Sequence, residues 1–207
     1  MDGILILMSG DQHRKAFELL SELLASRHEK PLWIVVCGGS ALQARGIIQR
    51  ATKDVDIFAT RDEFSGIEPA YPLSDTVKQA IKQVADLLDL PQNWLNASTS
   101  FLLLPLKEYP PYFWEDFMDE EYGTHLKISY LSRKGLITLK ILAAIQRDAA
   151  RDAEDLIALQ PSETDTIEAL DWCIATTVEL ASSQLKINSI LTLLNHESLI
   201  EKYTPEA

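Results

Sequence analysis

Apolar residues recur along this chain with two periods, and the switches between them mark its elements. Across residues 11–28, Ala16, Phe17, Leu20, Leu23 and Leu24 take the three-and-four spacing of one helical face, which predicts an amphipathic helix with its charged positions in water. "LWIVVC" is instead a continuous apolar run, rich in β-branched residues and ended by Gly38-Gly39, the pattern of a strand buried on both faces. "SALQARGI" predicts a short helix, and "DVDIFA", alternating polar and apolar, a second strand. Residues 75–89 return to the helical period through Val77, Ile81, Val84 and Leu88 until Pro91 ends it.

Further on, "SFLLLPL" and "HLKISYLS" predict strands, while the prolines and aromatics of "KEYPPYFWEDFMDEEYG" predict irregular structure between them. The helix predicted over 135–147 is apolar nearly all round, its only charge between Lys134 and Arg147 being Lys140, so it belongs at the centre of a domain. "RDAARDAEDLIAL" predicts a turn or short helix leading to Pro161. Ser162 then caps a helix reaching about residue 181, and another covers about 185–195. There is no internal repeat and no low-complexity linker. The pattern predicts an α/β (α+β) domain over 1–160, a small mixed sheet flanked by helices, with a helical C-terminal extension over 161–207 packed on it.

Composition narrows the classes. At 46% hydrophobic and 24% charged residues the 207-residue chain can bury a sizeable core. No apolar run approaches the roughly 20 residues of a membrane span, and "MDGILILMSGD" lacks a basic start and a small-residue cleavage site, so a cytoplasmic location is expected. Cys37 and Cys173 are far apart, and His13, His28, His125 and His196 show no paired ligand spacing, which gives no support to a disulfide framework or a zinc site. The net charge of −12 is uneven: residues 1–107 carry 11 basic against 13 acidic side chains, residues 108–207 carry 8 against 18. Such a surface repels phosphate backbones and disfavours long nucleic acid as a partner. A P-loop enzyme is disfavoured too, because its glycine-lysine signature is absent.

The chemistry concentrates between residues 38 and 56. Asp54 and Asp56 are two apart, and on a strand that spacing turns both carboxylates to one face. Like charges side by side call for a cation, and hard divalent ions take such oxygens. Gly38 and Gly39 lack Cβ atoms, so a ligand can approach their backbone N–H groups; Ser40 adds a hydroxyl, and a helix beginning there adds partial positive charge. Metal on one side and amide donors on the other suit the phosphates of a nucleoside triphosphate. Taken singly, Gly-Gly-Ser is a common turn and Asp-x-Asp is more often a solvated strand edge.

Together, "GGSALQARGIIQRATKDVDIF" resembles the signature of the nucleotidyltransferase fold of the DNA polymerase β superfamily, and its detailed form, Ala-Leu after the turn and Arg-x-Thr-x-Asp-x-Asp later, is more similar to AbiEii-like toxins and related bacterial nucleotidyltransferases. "LDLPQNWLN" and "LKILAAIQRDAARDAEDLIAL" resemble later segments of that group, and the likeness spans roughly residues 12–160. The resemblance implies that Gly38, Gly39 and Ser40 meet phosphates, that Asp54 and Asp56 bind Mg2+ (or Mn2+) and are catalytic, and that Arg50 and Thr52 contact the nucleotide. Lys140 matches the helix lysine that meets the triphosphate. Its lone charge among Leu136, Leu139, Ile141, Leu142 and Ile145 independently asks for an aqueous cleft or an anionic partner, and the expectation is that it reaches Asp54 and Asp56; snorkelling to the surface is the alternative. Asn96 and Trp94 are further candidates for the pocket wall, Trp94 also for the core.

One departure bears on activity. Many active members of the family carry a third carboxylate on a later strand, yet "HLKISYLS" contains no acid. Asp116, Asp119, Glu120 and Glu121 precede it, and Asp152 or Asp155 could reach in from a helix, or form a capping or salt-bridged pair instead. The leading expectation is a magnesium-dependent nucleotidyltransferase moving a nucleoside monophosphate from a triphosphate to a hydroxyl on protein, RNA or a small molecule. The rival is a non-catalytic binding module on the same fold, one half of a toxin–antitoxin or regulatory pair with a protein partner. A plain helical interaction protein would make the motif an accident.

Overall fold

Ser9 and Gln12 start the first helix with reciprocal hydrogen bonds, each backbone N–H donating to the other's side chain, and α1 runs over Gly10–Ser26. Its buried stripe of Ala16, Phe17, Leu20 and Leu24 is the face read from the spacing. β1 follows over Leu32–Cys37, then α2 over Gly38–Ala44, β2 over Val55–Asp62, β3 over Gly66–Pro69, α3 over Asp75–Leu88, β4 over Leu95–Asn96, β5 over Met118–Tyr122 and β6 over Leu126–Tyr130. The computed structural model describes residues 8–97, 105, 108–147 and 150–204. It resolves into two compact units, Met1–Tyr109 with Asp116–Leu131, and Pro110–Glu115 with Ser132–Ala207.

The first unit is built on one mixed sheet in the order β3-β2-β1-β6-β5, with β4 on the remaining edge of β2. β1 lies parallel to β6 and antiparallel to β2, and the register shifts between Val35 and Val36. Ile34, Val35 and Val36 are fully buried, as a central strand requires. α1 covers one sheet face, with Phe17 packed on Tyr122 and Trp94 at ring separations of 5.0 and 5.7 Å. α3 is tied to α1 where Arg27 donates to the Thr76 carbonyl.

Three of these strands carry little sequence signal. β4 has two residues, β3 four, and β5 (MDEEY) sits on the sheet edge with only its tyrosine buried, inside the stretch expected to be irregular. A short or exposed strand needs few apolar residues, so pairing alone reveals it. The strand expected over "SFLLLPL" lies outside the described residues except for Pro105.

In the second unit α4 (Arg133–Gln146) is central, packed by α5 (Ala150–Leu159), α6 (Glu163–Thr176) and α7 (Leu180–Leu193). The near-absence of charge along α4 foretold this, and Leu136, Ile137, Ile141 and Ile145 are all buried. α4 and α5, which the sequence pattern joins to the first 160 residues, thus group with the C-terminal helices. The short 3-10 turn Pro111–Trp114 belongs here as well: its Phe113 is fully buried against Trp172, and Tyr112 meets the Thr138 hydroxyl at 3.1 Å. α6 stops at Thr176, five residues short of the expected end. The β-branched run Thr176-Thr177-Val178 is a poor helix former, and α7 restarts at Leu180.

Candidate functional site

Strand pairing does what the motif spacing foreshadows. The antiparallel register sets Cys37 opposite Asp56, so Gly38, the first residue after β1, arrives beside the Asp56 carboxylate. Gly38 has a left-handed φ of 71°, and a Cβ there would stand 2.9 Å from an Asp56 carboxylate oxygen. The left-handed backbone strains any other residue, and a Cβ would also push the Asp56 carboxylate aside. Gly39 is enclosed by the next two motif residues: a Cβ on it would lie 3.0 Å from the Thr52 methyl and 3.9 Å from an Arg50 guanidinium nitrogen. Gly38, Gly39, Arg50, Asp54 and Asp56 are all half-buried. Asp54 precedes β2 and Asp56 is its second residue, whose other neighbour is Asn96 on β4.

Two expected residues have structural duties. Ser40 is buried and donates its hydroxyl to the Cys37 carbonyl at 3.3 Å, closing the turn upon itself. Thr52 is buried, exchanges backbone hydrogen bonds with Met8 at 2.6 and 3.0 Å, and meets the His13 ring at 3.3 Å. Burial drives the His13 imidazole down to about 4 against the opposing pull of its hydrogen bond with Gln43, so the ring is neutral at pH 7. His13 is 39 residues from Thr52, and no local spacing signals their meeting. The helix after the turn also departs from expectation: α2 takes in both glycines and has only seven residues, so its dipole is short and Gly38's backbone geometry matters more.

Lys140 differs most. It is buried on α4, and its ammonium lies 2.9 Å from Asp152 and 2.6 Å from Asp155, both buried on α5. Its ion-pair partners are therefore these two carboxylates, where Asp54 or Asp56 was expected. Arg147 adds a second cation to Asp152, donating from Nε at 2.8 Å and from a terminal nitrogen at 3.2 Å. Burial pushes the Asp152 carboxyl up, but the hydrogen bonds and charges of Arg147 and Lys140 outweigh it and hold it below the usual aspartate range. Lys140 and Arg147 together balance the two buried acids, which lie one helical turn apart, the salt-bridged alternative for Asp152 and Asp155.

The acids of β5 are committed elsewhere too. Asp119 accepts from Ser129 at 2.6 Å and pairs with Arg61 and Lys127 at 3.5 and 3.7 Å. Glu120 accepts from Tyr122, whose hydroxyl is held far above its ordinary range by burial and by its hydrogen bonds with Glu120 and Tyr130. Three strand steps separate β5 from β2, roughly 14 Å, beyond direct sharing of an ion with Asp56. Among the described residues no three His, Cys, Asp or Glu side chains are grouped to hold a metal. Trp94 is a core residue, fully buried with its indole N–H donating to the Ile81 carbonyl at 3.0 Å. Also among the described residues, no helix is long and apolar enough to cross a membrane.

With this geometry in place, the chain is a mixed α/β protein with a glycine turn built against a carboxylate. Among solved structures it is similar to an antigenic nucleotidyltransferase-like protein from Paracoccidioides brasiliensis, with 15% identity and a TM-score of 0.46 over 86% of this chain and 94% of that one. A likeness of that degree carries no functional argument. No protein-family model matches the sequence, and no curated protein matches it.

Proposed function

We propose that the turn at Gly38 and Gly39 and the carboxylates of Asp54 and Asp56 form the phosphate- and metal-binding centre of an AbiEii-like nucleotidyltransferase, which moves a nucleoside monophosphate from its triphosphate to a hydroxyl acceptor on protein, RNA or a small molecule. The observation that carries this reading is Gly38, a left-handed residue whose missing Cβ lets the Asp56 carboxylate stand directly against the turn. A turn stripped of side chains directly beside a half-buried acid fits a ligand whose anionic oxygens and counter-ion must approach the backbone together.

The donor set fits magnesium, which is commonly held by one or two carboxylates together with substrate phosphates and water. Asp54 and Asp56 would hold it, with manganese the alternative. When bound, the ion would supply charge neutralisation on the phosphates and a more acidic acceptor hydroxyl. The chain's own part is positional: the strand register fixes Asp56 against Gly38, and Arg50 and Thr52 pack Gly39 so that its backbone faces the ligand. Such a centre suits a cytoplasmic protein, where nucleoside triphosphates abound.

A non-catalytic module on the same fold, paired with a regulatory or antitoxin-like protein, is the second reading. It is favoured by the lack of a third acid beside Asp54 and Asp56 among the described residues. Incubation of the purified chain with each labelled ribonucleoside triphosphate and magnesium, with and without cell extract, separates the two. Label should transfer to a macromolecule or small acceptor and vanish in Asp56→Asn. Binding without transfer in every extract supports the module. Magnesium should also raise the melting temperature of the wild type but not of the Asp54→Asn/Asp56→Asn chain; an equal rise in both would exclude these residues as ligands.

A further inference from the structure

The edge of β2 opposite β1 is shared by two strands. β4 pairs with it at Val55 and Asp56, β3 at Ala59–Asp62, and a cavity of about 210 Å3 opens beside β4. Its floor is apolar, from Ile81 of α3, Leu95 of β4, and Leu73 of the segment joining β3 to α3. Tyr71, from the same segment, stands at the wall with 56% of its surface exposed. The rim is polar: Asn93 and Asn96 bring side-chain amides, and Lys82 a cation with no ion-pair partner among the described residues. Lys78, the other rim cation, is drawn to Asp75 at 3.1 Å.

This cavity begins at Asn96, the residue paired with Asp56 on β4. Across the sheet the order is therefore Gly38 at the end of β1, Asp56 on β2, and Asn96 with the cavity on the far side. Two strand steps of about 4.8 Å separate the turn from β4, the scale on which a nucleotide holds its base away from its phosphates. Drug-sized ligands occupy roughly 300 Å3 and more, so this volume suits a single flat ring system. An apolar floor, a partly exposed aromatic residue and amide groups at the rim are the surroundings that a planar heterocycle with polar edges takes.

We propose that this notch is the nucleobase subsite for the nucleotide held at Gly38 and Asp56: the base stacks on Tyr71 over Ile81 and Leu95, with its polar edge toward Asn93, Asn96 and Lys82. The proposal rests on the phosphate and metal reading of Gly38 and Asp56. It assigns binding to the "LPQNWLN" segment, in which Trp94 faces the core while its neighbours face the ligand.

Calorimetric titration of the full chain in magnesium, with each ribonucleoside triphosphate and separately with inorganic tripolyphosphate, tests the two readings apart. At least one nucleotide should bind roughly tenfold or more tighter than tripolyphosphate, the scale of one base–aromatic stack. Tyr71→Ala should erase most of that advantage and leave tripolyphosphate affinity unchanged, Tyr71→Phe should retain it, and Asp56→Asn should weaken both ligands. Equal affinity of the wild type for nucleotide and tripolyphosphate, or a Tyr71→Ala chain that binds nucleotide as well as the wild type, overturns the base subsite and leaves the phosphate site standing. Failure of the wild type to bind either ligand overturns the phosphate site and the subsite with it.

Discussion

Asp54 and Asp56 lie two residues apart at the start of a strand, whereas Asp152 and Asp155 lie three apart on a helix, and each spacing gathers two carboxylates on one side of the backbone. Their environments are opposite. The strand pair is half-buried beside a glycine whose missing side chain leaves Asp56 its place. The helix pair is buried, at 2% and 0% exposure, with the Lys140 ammonium between the two and Arg147 on Asp152. Burial separates them. Asp152 and Asp155 are enclosed with their cations in a structural network, while Asp54 and Asp56 stand at a backbone turn where, in the proposed function, a metal ion would meet them. Similar carboxylate spacing on a strand and on a helix thus leaves one pair half-buried at a turn and encloses the other in a structural network.

The widest gap between the two pairs should appear in stability. Lys140→Met leaves two buried carboxylates with Arg147 alone, and a buried pair broken from one side costs about 3–5 kcal/mol. Urea denaturation should show a loss of that size, and adding Asp152→Asn and Asp155→Asn should recover at least half of it. A loss under about 1 kcal/mol would mean that the network contributes little. Because the folded Asp152 carboxyl sits below its ordinary range, its contribution is complete above about pH 4 and is lost as pH falls through its folded value.

Next in size is a pH effect near the strand pair. His13 titrates at about 4 in the fold against an ordinary 6.5, so its stabilising contribution is complete above pH 6.5 and lost between there and pH 4, roughly 3 kcal/mol in all. His13→Gln should flatten the stability profile across that window. An unchanged slope would show that burial does not hold the ring neutral.

Gly38→Ala should cost about 1–2 kcal/mol for its left-handed backbone and displace the Asp56 carboxylate. Any magnesium-induced rise in melting temperature should go with it. Gly10→Ala, with nothing within 4 Å of the new methyl group, should leave both properties intact. The smallest effect is expected from Asp54→Asn without metal, within about 1 kcal/mol of wild type by thermal melting. A loss as large as that of Lys140→Met would erase the distinction between the pairs.

The sequence by itself determined the local elements and the pairing of turn with carboxylate. An uninterrupted β-branched run ending in two glycines, followed by an alternating stretch with Asp54 and Asp56, is consistent with only a few local arrangements, and the register of Cys37 against Asp56 realises one of them. The apolar circumference of α4 likewise announced its central position. Tertiary structure decided the rest. Lys140 found Asp152 and Asp155 because α5 packs on α4, and no periodicity says which buried anion a buried cation will meet. β3, β4 and β5 exist through pairing with strands already in place, since two to five half-exposed residues carry almost no hydrophobic signal of their own. The meeting of His13 with Thr52, and the notch that Tyr71 and Leu95 share, join residues dozens apart in the chain: periodicity reports which face of an element is apolar, while contact depends on which elements the core brings together.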